Sequence, residues 1–151
     1  MDHRDIPEQV LIEHEILALV MGGLRTTIGW KHQGADLSRK LESLRFVGQS
    51  FQRHLKRLLA LEENDGYMSV VVASRPELND EVQALRQEHD EFRKGLNRIL
   101  TRLRVVQPTD HLTFAKISEE LVALLEKLEK HNHKEAGLIE HALLQDEGGE
   151  G

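Results

Sequence analysis

Five residues of this 151-residue chain pair metal-binding chemistry with positions that should hide them from water: His14, Glu62, His89, His131 and Glu135. Each falls on a row of apolar residues spaced by alternating steps of three and four, the pattern of a helix face packed against other helices. A buried polar group without a partner costs on the order of 1–3 kcal/mol, and a buried carboxylate more. Five of them need a common compensation. Imidazole and carboxylate together suit Fe, Mn or Zn, and a cation would satisfy both the lone pairs and the negative charge. His131 and Glu135, four residues apart, stack on one helix face and can share or bridge such an ion.

The elements that must position these residues are four long helical segments with short breaks between them. Helix A starts near Pro7, a residue suited to a first helical turn. It places Val10, His14, Leu17, Met21, Leu24 and Ile28 on one row, with an exit loop over Gly29–Ala35. Helix B is expected from an N-cap at Asp36 to about residue 72, with Leu41, Leu44, Phe51, Leu55, Leu58 and Glu62 on one face. The stretch 62–68 is a poor helix by propensity, which predicts a kink or fray there. The three valines at 70–72 read locally like a strand, but no other segment could pair with them. Helix C covers about 76–106 with Val82, Leu85, His89, Phe92, Leu96, Ile99, Leu103 and Val106. Helix D covers about 111–145 with Phe114, Ile117, Leu121, Leu124, Leu128, His131, Glu135, Leu138 and Ala142. A Gly-rich acidic tail, about 146–151, should fray.

Short connections between long helices favour antiparallel neighbours, so the expected fold is all-α, an antiparallel up-down-up-down four-helix bundle forming one domain over 1–151. In that arrangement the start of A, the end of B, the start of C and the end of D lie together. At a rise of about 1.5 Å per residue, all five polar residues then fall in one band about 10–20 Å below that end. A single histidine on such a seam is more often a hydrogen-bonded core residue; agreement in depth across four helices favours a metal.

The remaining histidines read as surface residues: His133 lies off the seam, His141 near the open end, His32 at the opposite end, His3 and His111 near helix starts. His54 is ambiguous, bordering the helix B seam one turn deeper than the cluster. There is no cysteine, which excludes thiolate zinc sites, iron–sulfur clusters and disulfides. The formal charge of −6 and the absence of a long Lys/Arg run argue against nucleic acid as a partner. No stretch has the length and apolarity of a membrane span. The charged start of the chain shows no export signal, so a cytoplasmic location is expected.

Taken together, these residues resemble the hemerythrin-like (HHE cation-binding) family. The similarity rests on Glu13-His14 in the first helix, Leu85-Arg86-Gln87-Glu88-His89 in the third, and His131 with Glu135 in the fourth. The piece Leu61-Glu62-Glu63-Asn64-Asp65-Gly66-Tyr67-Met68 is similar to a form of the second helix found in some bacterial members. The resemblance implies an antiparallel four-helix bundle with non-haem iron, one or two ions, held by His14, Glu62, His89, His131 and Glu135. It also implies a small molecule such as O2 as partner, with O2, redox or iron sensing or carriage as the role. One position departs from the family pattern: where members carry a histidine four residues before the helix B glutamate, this chain has Leu58. A single metal, an asymmetric pair and a weakened site all remain open, as does ligation by His54 after a register shift. No nucleophile–base pair or phosphate loop points to turnover. The rival reading is a metal-free structural or interaction bundle with a degenerate site.

Overall fold

Helices account for nearly all of the described residues because the apolar rows run at helical period almost without interruption. The computed structural model describes residues 5–31, 37–64 and 66–144, with only the backbone at 5–7 and 143–144. The expected Asp36 cap, most of the exit loop, His3, His32 and the tail beyond 145 lie outside the described residues. Four long helices, α1 (Asp5–Gly29), α2 (Ser38–Glu63), α4 (Asn79–Val105) and α5 (His111–Ile139), form the bundle, with a short α3 (Tyr67–Ser74) between α2 and α4. No strand occurs among the described residues.

The helices neighbour one another in the cyclic order α1, α2, α4, α5 and back to α1. Several contacts fix their antiparallel sense. Arg45 near the start of α2 donates to the carbonyls of Leu103 and Val106 at the end of α4, at 2.8 and 3.0 Å. Arg102 near the end of α4 pairs with Glu120 near the start of α5. Arg25 of α1 meets Glu129 of α5 at 2.8 Å. The Asp110 side chain caps α5 by accepting from the Thr113 amide at 3.1 Å, which satisfies one of the otherwise unpaired amides of its first turn.

Every apolar member of the expected rows on the second, third and fourth long helices is buried; on α1, Ile28 is only half-buried. The long second helix, however, does not run to residue 72. It stops at Glu63, and a separate helix, α3, starts at Tyr67. Gly66 makes the turn possible: a Cβ there would sit 2.0 Å from the Leu61 carbonyl oxygen and 2.6 Å from that of Glu62. The three valines at 70–72 are therefore helical. Two other bounds shift at the same end. Pro76–Leu78 forms a 3-10 turn before α4, and Glu140–Leu144 continues α5 as a π-helical turn.

Two apolar clusters fill the interior. The larger includes Leu17, Leu24, Leu41, Phe51, Leu55, Leu58, Phe92, Leu96, Leu121 and Leu128. The smaller joins Val10, Tyr67, Met68, Val71, Leu78, Val82, Leu85, Leu138, Ile139 and Ala142. Along α1, α4 and α5, and across the break from α2 to α3, the five polar residues sit in sequence between members of the two clusters. They form a polar layer between two dry ones, and α3 closes the smaller cluster from outside.

Candidate metal centre

All five residues singled out by spacing converge on this layer. Glu62, His89 and Glu135 have no exposed surface and His131 has 1%. His14 is the exception, with 18% of its side chain still accessible. Two triads emerge, His89–His131–Glu135 and His14–Glu62–Glu135, and within each the potential ligand atoms lie no more than 4.8 Å apart. Glu135 belongs to both. Its Oε2 is 3.2 Å from His89 Nε2, while its Oε1 is 3.3 Å from His131 Nε2 and 3.6 Å from His14 Nε2. Three imidazoles thus present their Nε2 atoms to one carboxylate.

The outer faces of two imidazoles are held by residues that spacing alone did not single out. Nδ1 of His89 meets Glu63 Oε2 at 2.8 Å, and Arg93 grips both oxygens of Glu63 at 2.6 and 3.1 Å. Nδ1 of His131 meets Glu88 Oε1 at 2.8 Å, and Lys134 donates to the other Glu88 oxygen at 2.7 Å. A carboxylate on one ring nitrogen fixes the tautomer, leaves the Nε2 lone pair pointing inward and raises its basicity. Phe92 stands edge-on to the His131 ring, 5.1 Å between centroids, and limits its rotation. Tyr67, the first residue of α3, donates from its buried hydroxyl to Glu135 Oε2 at 2.5 Å.

Whether these donors suit a cation can be judged from what they lack. Among the described residues six buried side-chain atoms have no hydrogen-bond partner. Four belong to this cluster: Glu62 Oε1 and Oε2, Glu135 Oε1 and His131 Nε2. Buried groups are otherwise satisfied almost without exception, so lone pairs aimed at one another with nothing between them match an ion's requirements. Nitrogen and carboxylate donors of this kind fit iron, manganese or zinc.

The electrostatics follow from the same crowding. Burial first, and then the adjacent Glu135 carboxylate, push Glu62 well above the usual carboxylate range. Burial acts in the same sense on Glu135, but Glu62, His131 and His89 together overcome it and hold Glu135 well below that range. The two buried carboxylates are thus pushed apart, Glu62 toward its neutral form and Glu135 toward its charged one. Burial lowers His14, with Glu135 opposing and His131 and His89 reinforcing. Burial would lower His131 too, but Glu135 and Glu88 outweigh it and raise the imidazole. Burial, followed by Glu135 and Glu62, drives the Tyr67 phenol far above its ordinary value, so it is a hydrogen-bond donor in the absence of a cation.

Leu58, one turn before Glu62 on α2, is buried within the larger apolar cluster. His54 is half-buried and belongs to neither triad, so the register of α2 does not bring it to the layer. His111, His133 and His141 are exposed.

Searches among curated proteins and among solved structures each returned no match. The family model described as the hemerythrin HHE cation-binding domain matches residues 5–143, nearly the whole chain. With that match over a four-helix bundle whose core gathers histidines and glutamates from every long helix, the chain belongs to the hemerythrin HHE cation-binding family.

Proposed function

We propose that this protein holds non-haem iron, as one or two ions, through His14, Glu62, His89, His131 and Glu135. Its role on this reading is to sense or carry O2 or a related small molecule, or to respond to redox state or iron supply, in the cytoplasm. The observation that carries the reading is the position of Glu135, a fully buried carboxylate common to two triads of donors. A shared carboxylate between two sets of ligands is how a protein brackets a pair of ions, and one triad alone would serve a single ion. Neither triad supplies the six donors that iron accepts, so positions remain for a small exogenous molecule. Bound there, iron would supply a redox-active centre with affinity for O2 and similar molecules.

The chain's own residues would do the rest. Glu63 and Glu88 orient two imidazoles, and the two apolar clusters exclude water from the layer between them. His14, partly open to solvent, lies at the most accessible side of the layer. Manganese or zinc would satisfy the same donors, and metal analysis distinguishes them. Protein produced with iron available should carry between one and two Fe per chain, with carboxylate or oxo charge-transfer absorption. Metal-free protein whose stability does not change with a chelator would refute the reading.

A second reading, a metal-free structural bundle, draws support from Leu58 and from the contacts Glu135 makes with three imidazoles. In that case the cluster is a hydrogen-bonded network and nothing more. Metal uptake, and melting of the wild-type chain with and without metal, separate the two.

A further inference from the structure

Tyr67 is the only tyrosine in the chain, and it is completely buried. If its role were packing within the smaller apolar cluster, phenylalanine would serve as well. Instead its hydroxyl is turned into the polar layer, 2.5 Å from Glu135 Oε2, the same oxygen that His89 Nε2 meets at 3.2 Å. The hydroxyl of α3 and the imidazole of α4 thus converge on one oxygen of the carboxylate common to both triads. The backbone is shaped to deliver this side chain. Gly66 passes so close to the carbonyls of Leu61 and Glu62 that no side chain fits there. The next residue is thereby tucked beneath the end of α2. On α2 itself, position 58 is a leucine and offers no donor to the layer.

We propose that Tyr67 is a metal ligand: its phenolate oxygen coordinates ferric iron at the Glu135 cluster. It supplies an anionic donor to a site that Leu58 leaves short. The inference rests on the iron reading given above. When Fe(III) is supplied as such, the Tyr67 O–H bond breaks, an Fe–O bond forms and the proton passes to solvent. No electron is transferred. Without metal, the hydroxyl remains the donor to Glu135 described above.

The test loads the demetallated full-length chain with ferric iron and measures iron content, the visible spectrum, and the resonance Raman spectrum excited within any visible band. Coordination by a phenolate gives a visible ligand-to-metal charge-transfer band that enhances tyrosinate ring vibrations. Because the chain has one tyrosine, such vibrations can come only from Tyr67. We expect the band in the wild type and its complete loss in Tyr67→Phe, with the variant's helical circular dichroism retained. Iron bound in wild-type amounts without tyrosinate vibrations would overturn the ligand assignment and leave the iron reading standing. A visible band of unchanged position and intensity in iron-loaded Tyr67→Phe would overturn it as well. A wild-type chain that takes up no iron overturns both. The wild-type Raman spectrum decides the matter even if the variant folds poorly.

Discussion

Glu63 and His89 meet across the α2–α4 interface at 2.8 Å, although Glu63 follows directly after the cluster carboxylate Glu62 and would be expected to face water. Adjacent residues on a helix point about 100° apart. When one enters the layer, the next is carried to the seam with the neighbouring helix, and there Arg93 holds it. The ion pair and the imidazole contact pull Glu63 below the usual carboxylate range in spite of its burial. It is thus an anion aligned with the His89 ring.

That alignment should be measurable. Glu63→Gln keeps the shape but removes the charge, weakening the lone pair that His89 presents at Nε2. Loss of an outer carboxylate of this kind typically lowers metal affinity about 10–100-fold. Competition with a chelator of known affinity would report it, and a variant matching the wild type would show the contact to be incidental.

Metal removal and His89→Leu together separate a metal site from a hydrogen-bonded network. Metal a thousandfold above its dissociation constant stabilises the folded state by about 4 kcal/mol, so the apo form should melt well below the loaded one. In apo protein the smaller cluster around Tyr67, Val71, Leu85 and Leu138 should exchange its amide hydrogens first. His89→Leu should abolish loading, so that metal no longer raises its melting temperature, and its apo form should melt below wild-type apo because Glu63 and Glu135 lose the imidazole between them. A wild-type chain that melts equally with and without metal would instead establish the metal-free network.

At Leu58 the expected gain has the opposite sign. Leu58→His places an imidazole one turn before Glu62, and metal occupancy or affinity should rise. The apo form should pay for it with a lower melting temperature, since the new ring is buried in an apolar cluster without a partner. His54→Ala should leave the metal content nearly unchanged. Loss of half the metal from the His54 variant would put His54 among the ligands.

Gly66→Ala tests the turn that delivers Tyr67. The new methyl would collide with two backbone carbonyls rather than with a flexible side chain. The cost should reach at least the upper part of the roughly 1–3 kcal/mol typical of overpacking. Thermal melting would show it, and a variant as stable as wild type would mean the turn can open freely.

Much of this was legible in the sequence because the helical period of about 3.6 residues decides which residues share a face. The rows from Val82 through Val106, along α4 to its cap, and from Phe114 through Ala142, along α5 into its π-helical turn, are buried at every member, and the polar residues within them are conspicuous for that reason. Periodicity reports the face and not the direction of a side chain lying one position off it. Glu63 and Glu88 occupy such flanking positions, where a solvated charge is the ordinary expectation. Their role depends on Arg93 and Lys134, which approach from α4 and α5. The doublets Glu62-Glu63 and Glu88-His89 were the available signal. Tyr67 was hidden by a different cause: its segment read as a poor helix, and only the close passage of Gly66 against α2 reveals where the chain goes next.

The outer carboxylates serve the cluster in a fixed succession. Glu63 of α2 aligns His89 of α4, and Glu88, directly before His89, aligns His131 of α5. Helices α2 and α4 therefore each orient a donor on the following long helix while presenting one of their own. A small rotation of α4 about its axis would withdraw His89 and, in the same movement, release His131. Changes at this centre cannot accumulate independently along single helices: a substitution that turns one helix demands a matching adjustment on its neighbour, so routes from this arrangement of donors to another pass through paired replacements.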